Sequence, residues 1–420
     1  MQLNTANNKK KKILMLSDHA LSTSGVGCQS RFLIHGLVEK GCWSVRQFGA
    51  AVKHNSYDPV IVNPDFVIKP IDGFGNRELL LQTLAAEQPD VLLLFTDPRF
   101  FIYVWEMHDE INKICPIAYW HVWDNRPAPV FNKVLYESTD LINCHSHLTY
   151  EMVNEIVPGK ANFVPHALPS DVFFPLSKSE IKKQKASILG PERLDHFTVF
   201  WVNRNARRKR PADVIESWSK FMKMINAEGS SDATLLMHTD PTDQEGPNLL
   251  VCTENLGVVE SVVFSNQRIE FDKMNVLHNI SDCCLNIAYA EGFGLATLES
   301  MQVGNPVIAL KTGGLTRQVV DHRDGSENGI ALDVEMQSLV GSQLVPYIYE
   351  DYVSTDTVAE ALYKMYKMSS DDREKLGQKA RDYVQSEFTL QKTIDLWHDS
   401  LWDLVENYSN DSKYHLEEIN

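Results

Sequence analysis

The chain has 420 residues, too many for one typical core and enough for two domains of ordinary size. Its 43% apolar content is that of a folded globular protein, and a formal charge of -16 argues against a general nucleic-acid binder, because polyanions are held mainly by Lys and Arg. The seven cysteines, at positions 28, 42, 115, 144, 252, 283 and 284, include no C-x-x-C pair and read as reduced, buried structural thiols of a cytoplasmic protein.

Taken in chain order, Lys9 to Lys12 come first, before an apolar run at 13–16 that is too short for a signal segment or a bilayer span. They read as a solvated lead-in to the first strand, with weak contact to an anionic membrane surface as the alternative. Short apolar runs then alternate with helix-length amphipathic stretches. This is the pattern of an α/β protein with two Rossmann-like domains facing a central cleft. Strand candidates lie at 13–17, 91–95, 116–121, 141–145 and 163–165, with helices at 29–40 and 99–113. Residues 169–191 mix prolines with the charged run 178–185, which places a domain boundary near 177–194. Strands resume at 197–202, 234–238, 262–264, 283–288 and 306–310. Beyond 355 the pattern is purely helical: 357–368, 371–387 and 389–408, the last carrying Leu396, Trp397, Leu401, Trp402 and Leu404 as a packing face. The expected division is 1–185, 186–388, and a closing helix with a polar tail at 389–420.

Five segments could carry chemistry. The most informative is 291–299, Glu-Gly-Phe-Gly-Leu-Ala-Thr-Leu-Glu, which runs from a strand end into a helix. Free N–H groups around Gly292, Phe293, Gly294 and Leu295 and the positive end of the helix dipole suit a phosphate, while Glu291 and Glu299 suit sugar and ribose hydroxyls. The second is 200–211, where a strand enters a loop of cations closed by Pro211. Arg204 and Lys209 could clamp a diphosphate, whereas Arg207, Arg208 and Arg210 read as a solvated basic loop. The third is the glycine loop 22–27 with Gly25 and Gly27, which lacks the full G-x-G-x-x-G spacing and so does not point to NAD or FAD. The fourth is His121 at the end of 116–121, which reads equally as a core residue or a cleft residue, as do Trp120 and Trp123. The fifth is Gly313-Gly314, either a ligand-closing loop or a simple turn. Asp240 with Asp243 and Asp371 with Asp372 lack histidines at metal-ligand spacing, and His145 with His147 read as packing residues. No G-x-S-x-G elbow or P-loop occurs.

Together these segments resemble the family 4 glycosyltransferases, retaining nucleotide-sugar enzymes of the GT-B fold, over most of the chain. Glu291 and Glu299 match that family's E-x7-E motif, Arg204 and Lys209 its phosphate-binding pair, Gly25 and Gly27 its N-terminal glycine loop, and His121 its donor-sugar histidine. Residues 164–167 with Phe174-Pro175 resemble its interdomain region, with Ala167 in place of the usual glycine. Thr316-Arg317 stands where Pro-Glu is usual, so Arg317 is a candidate extra cation near the phosphates, and 235–240 replaces a glycine-rich turn.

The resemblance implies an N-terminal acceptor domain, a donor domain and a closing helix that crosses back to the first domain. It implies a metal-independent, retaining hexosyltransferase with a UDP- or GDP-sugar donor and no cofactor. The expected acceptor is a glycan or lipid-linked glycan bound mainly in the first domain near 18–30 and 55–75, with a protein hydroxyl or a modified DNA base as alternatives. A nucleotide-sugar epimerase, a sugar phosphorylase or a non-catalytic sugar-nucleotide binding subunit are the competing readings.

Overall fold

The computed structural model describes residues 10–267 and 269–409. Lys9 and most of the expected polar tail lie outside them; Lys10, Lys11 and Lys12 each pair with acids, with Lys10 at 2.6 Å from Asp65 and Lys12 at 2.8 Å from Glu87.

An eight-stranded sheet comes first: β1 (Lys11–Asp18), β2 (Trp43–Ala50), β3 (Val60–Asn63), β4 (Phe66–Pro70), β5 (Val91–Thr96), β6 (Ile117–His121), β7 (Leu141–Cys144) and β8 (Ala161–Phe163). Their order is β3-β4-β2-β1-β5-β6-β7-β8, parallel throughout except for the β3–β4 pair. β1 and β5 are buried on both faces, which is why they read as continuous apolar runs. β2 was missing from the sequence reading because Arg46 and Gln47 interrupt its apolar run. Gln47 is buried in the sheet because its amide donates to Ser17 Oγ at 2.6 Å and to the Asp18 carbonyl at 2.9 Å. The strand expected at 163–165 lies two residues earlier, and its ladder stops before Pro165, which has no N–H to donate. The expected helix 99–113 is broken into a 3-10 turn (Pro98–Phe100) and two short helices (Ile102–Trp105 and His108–Asn112). Phe101 and Met107, fully buried at the breaks, turn into the core.

The second sheet contains β9 (Phe197–Val202), β10 (Ala233–His238), β11 (Val262–Ser265), β12 (Cys283–Asn286), β13 (Val307–Leu310) and β14 (Gly329–Leu332), in the order β11-β10-β9-β12-β13-β14, all parallel. β12 ends earlier than expected because Asn286 Oδ1 accepts from the Ala288 N–H at 3.2 Å and turns the chain. An antiparallel hairpin, β15 (Met336–Val340) and β16 (Ile348–Tyr352), follows β14 and was not anticipated.

The helices that position the site are α1 (Gly25–Glu39), α2 (Lys178–Leu189), α3 (Pro211–Ala227), α4 (Leu295–Gln302), α5 (Thr355–Lys367), α6 (Ser370–Glu387) and α7 (Leu390–Asn407). The charged run 178–185 is thus a helix, capped by Ser177, and Leu189 rests on Phe200 and Leu236 of the second sheet. α7 returns to the first sheet, where Trp397 and Leu401 are fully buried beside Trp43, Val45 and Trp120. Among the described residues no helix is long and apolar enough to cross a membrane, and all seven cysteines are free thiols.

Candidate active site

In the second sheet β9 and β12 lie side by side while the chain winds outward from them in opposite directions. Parallel α/β sheets open a crevice at the carboxyl ends of such strands. Here that crevice faces the carboxyl end of β1, and the two together enclose a cavity of about 520 Å³.

Two helices begin at this cavity. Ser24 caps α1, its Oγ accepting from the Gly27 N–H at 3.0 Å and donating to Asp18 Oδ2 at 2.6 Å. Gly27 has no room for a side chain: a Cβ there would lie 2.1 Å from Ser22 Oγ. Gly294 precedes α4 with φ +91°, and a Cβ would meet Leu315 Cδ2 at 2.3 Å, so the turn requires glycine. Gly25 and Leu295, the first residues of the two helices, meet across the cavity, with Leu295 Cδ1 3.0 Å from where a Gly25 Cβ would be. Two helix N-termini at one space offer free N–H groups and the positive ends of two dipoles to an anion.

Arg204 and Glu299 line the same cavity. Arg204 is more than half exposed, and its guanidinium is held 2.8 Å from both Asp243 and Glu245. Glu299 accepts from His278 Nε2 at 3.0 Å, and His278 is fully buried. Burial thus fixes one carboxylate oxygen of Glu299 and leaves the other for the cavity.

Lys209 is not beside Arg204. It lies in a 3-10 turn (Arg207–Lys209), buried, with its ammonium hydrogen-bonded to Glu291 Oε2. Burial pushes Lys209 below the ordinary lysine value against the pull of Glu291. Burial alone would raise the Glu291 carboxyl, but the Lys209 ammonium and the Arg208 guanidinium outweigh it and hold it below the usual carboxylate range. The Glu291 carboxyl is therefore ionised at neutral pH.

Next to Glu291, a Cβ on Gly292 would come 2.7 Å from Asp124 Oδ1 and 2.8 Å from His145 Nε2. Asp124 is 3.7 Å from Arg208. Asp124 and His145 therefore stand where the two sheets meet, and the sequence reading did not select either. The signal was available for His145, which follows β7 just as His121 ends β6, one strand over.

His121 itself is fully enclosed. Its Nε2 is 2.9 Å from Tyr136 Oη, and burial lowers its pKa to about 3. It does not reach the cavity, so its reading as a cleft residue is corrected: the imidazole at the seam is that of His145. Burial brings His145 down to about 4 despite Asp124 and Glu291, so it is neutral. His147 points elsewhere, 3.4 Å from Glu151.

Two further expectations change. Arg210 is not solvated: it holds φ +55°, its Nε donates to Asp213 at 2.6 Å, and its Nη2 donates to the Val353 carbonyl at 2.9 Å. Arg207 is solvated as expected, and from the surface it pairs with Glu350 of β16. Arg317 does not reach the cavity but lies over the Phe163 ring at 5.1 Å. Gly313-Gly314 serves as a packing turn, since the Gly314 N–H donates to the Glu291 carbonyl at 2.9 Å and a Gly313 Cβ would lie 2.0 Å from the same oxygen. Trp120 is core, stacked on Phe95 at 4.1 Å. Among the described residues no three His, Cys, Asp or Glu side chains converge as a metal-ligand set.

The hairpin reaches the first domain. Asn125 Nδ2 donates to Asp351 Oδ2 at 2.7 Å, the Tyr349 N–H donates to the Arg126 carbonyl at 2.7 Å, and Val345 and Ile348 pack against Trp123, Ala128 and Met152.

Known proteins resemble this chain in sequence and in fold. N-acetyl-alpha-D-glucosaminyl L-malate synthase of Bacillus anthracis is 26% identical over 253 residues, 56% of this chain and 62% of that protein. D-inositol 3-phosphate glycosyltransferase of Acidothermus cellulolyticus is 25% identical over 178 residues, 42% and 38%. The matches thus span less than two thirds of either relative. Among solved structures, sucrose-phosphate synthase of Thermosynechococcus elongatus superimposes with a TM-score of 0.70 at 19% identity, covering 95% of this chain and all of that one. Anabaena HepE, solved with UDP and glucose, gives 0.68 at 15% identity over 94% of this chain and all of that one. Residues 183–342 match the family described as glycosyl transferases group 1, and the two facing sheets with the returning helix are the GT-B fold that this chain shares with those solved structures.

Proposed function

We propose that the protein moves a hexose from a UDP- or GDP-sugar to an acceptor hydroxyl of a glycan or lipid-linked glycan, with retention of anomeric configuration and without a metal. The observation that carries this reading is the meeting of Gly25 and Leu295 at one cavity that Arg204 and Glu299 also line. A diphosphate between the two helix starts is met by free N–H groups and by Arg204, and Glu299 offers its free oxygen to the ribose hydroxyls. HepE has also been solved with UDP-glucose, which supports a donor of this class.

The hexose then lies toward Gly292, where Glu291, Asp124 and His145 surround it. Lys209 and the Asn286 amide hold the Glu291 carboxylate in place, and its remaining lone pairs accept a sugar hydroxyl. The bond from the anomeric carbon to the diphosphate oxygen breaks as the bond to the acceptor oxygen forms on the same face, and the acceptor's hydroxyl proton passes to the departing diphosphate oxygen. Charge that develops on the leaving diphosphate is stabilised by Arg204, by Lys209 and by the two helix starts. All of these groups belong to a cytoplasmic enzyme in this reading.

A thermal-shift panel of UDP- and GDP-sugars tests the donor, followed by NMR of the product's anomeric proton. One donor class should raise the melting temperature, and the product should keep the donor's configuration. Absence of a shift with every nucleotide sugar, or an inverted product, would overturn the reading.

A further inference from the structure

A second cavity, of about 270 Å³, lies under the hairpin and has no part in the donor site. Asp97, at the carboxyl end of β5, and Trp123, just after the adjacent strand β6, form one wall. Gln343, Leu344 and Pro346 of the hairpin tip form the other, so the cavity exists only between the two domains. It adjoins the reaction seam, because Trp123 directly precedes Asp124, which touches Gly292.

Its lining suits a sugar ring. Trp123 is 5% exposed, offers an aromatic surface, and has an indole N–H with no hydrogen-bond acceptor. A buried donor without an acceptor costs stability unless a ligand supplies one. Asp97 presents a carboxylate, whose Oδ1 accepts from the Arg99 N–H at 3.0 Å and whose Oδ2 lies 3.2 Å from the Arg99 guanidinium. The volume is about nine waters' share of liquid, enough for a six-membered ring.

The mouth is different. Ile102, Phe131 and Leu344, from three separate segments, line it with 42%, 36% and 68% of their surfaces exposed. Exposed apolar side chains converging on a cavity with polar groups inside fit a ligand that is polar at one end and apolar at the other.

We propose that this cavity is the acceptor subsite and that its ligand is an alkyl glycoside, with the sugar ring against Trp123 and Asp97 and the apolar aglycone across Ile102, Phe131 and Leu344. This rests on the transfer reaction proposed above and narrows its acceptor.

The test uses the full chain with the nucleotide sugar that stabilises it best, and compares octyl with methyl glycosides of glucose, galactose and mannose as acceptors. The expected result is a preference for one octyl glycoside of at least about tenfold in kcat/KM, the return for burying about two methylenes. Leu344→Ser should cut that preference toward one, whereas Trp123→Phe should lower kcat/KM for octyl and methyl acceptors alike, about tenfold, and leave their ratio intact. Transfer with equal rates to both acceptors, or a Leu344→Ser variant that keeps the full preference, would overturn the acceptor assignment while leaving glycosyl transfer standing. Failure of every nucleotide sugar to bind would overturn both.

Discussion

Arg204 and Lys209 have similar roles in the proposed reaction but very different surroundings, and mutation should separate them. Arg204 is exposed and its acidic partners are at the surface, so Arg204→Ala should lower kcat/KM by about 100- to 1,000-fold, as loss of one charge-stabilising donor does, with an unchanged melting temperature. Lys209→Ala strands a buried Glu291 carboxylate, so it should also cost about 3–5 kcal/mol of stability, read by urea unfolding. Wild-type turnover by a folded Arg204→Ala enzyme would remove the diphosphate clamp. The two buried histidines separate in the same way. His145→Ala should cost about tenfold in kcat/KM, the worth of one neutral hydrogen bond to the sugar, while His121→Asn should act on stability and leave the donor KM alone. The motif residues 291–299 were legible because their chemistry is local: a glycine turn and a helix start can be read from adjacent letters. His145, Asp124 and the Lys209–Glu291 pair were not, because each depends on which strand ends the fold brings together.

At the scale of elements, the parallel strands buried on both faces could be read directly, since β1, β5, β9 and β13 each centre on an apolar run. β2 could not, because its buried Gln47 is satisfied by partners 30 and 29 residues away in β1. The β15–β16 hairpin could not either: Met336 and Leu339 are exposed and Glu350 and Asp351 are buried, the reverse of a soluble hairpin's usual pattern. Glu350 faces Arg207 of its own domain and Asp351 faces Asn125 of the other, so the placement of Asp351 becomes intelligible only once the second domain meets the first. Helix packing gives a sharper test of the fold. Alanine normally stabilises a helix interior over glycine by about 1 kcal/mol, yet Gly377 in α6 lies where a Cβ would come 1.8 Å from the Gly304 carbonyl. Gly377→Ala should therefore destabilise by about 1–3 kcal/mol in thermal unfolding, and a stabilised variant would contradict the α6 packing.

For the molecule as a whole, three of the buried imidazoles, His121, His145 and His166, shape the response to acid. Burial lowers His121 to about 3, His145 to about 4 and His166 well below the ordinary histidine value. The unfolded chain binds protons at these sites below about pH 6.5 and the folded chain does not. The stability they protect is complete above that pH and falls as the pH drops toward about 4, by up to about 1.4 kcal/mol per pH unit for each histidine. Urea midpoints at pH 7 and 5.5 should show this loss, and His121→Asn should flatten it by one proton's share. The hairpin has a consequence of another kind. The chain crosses between the sheets twice, side by side, where Leu168 bridges Thr389. Away from that crossing, Tyr349 holds Arg126, Asp351 holds Asn125 and Arg208 faces Asp124. Parting the domains at the hairpin therefore means giving up all three polar ties together, so the two faces separate as a unit or not at all.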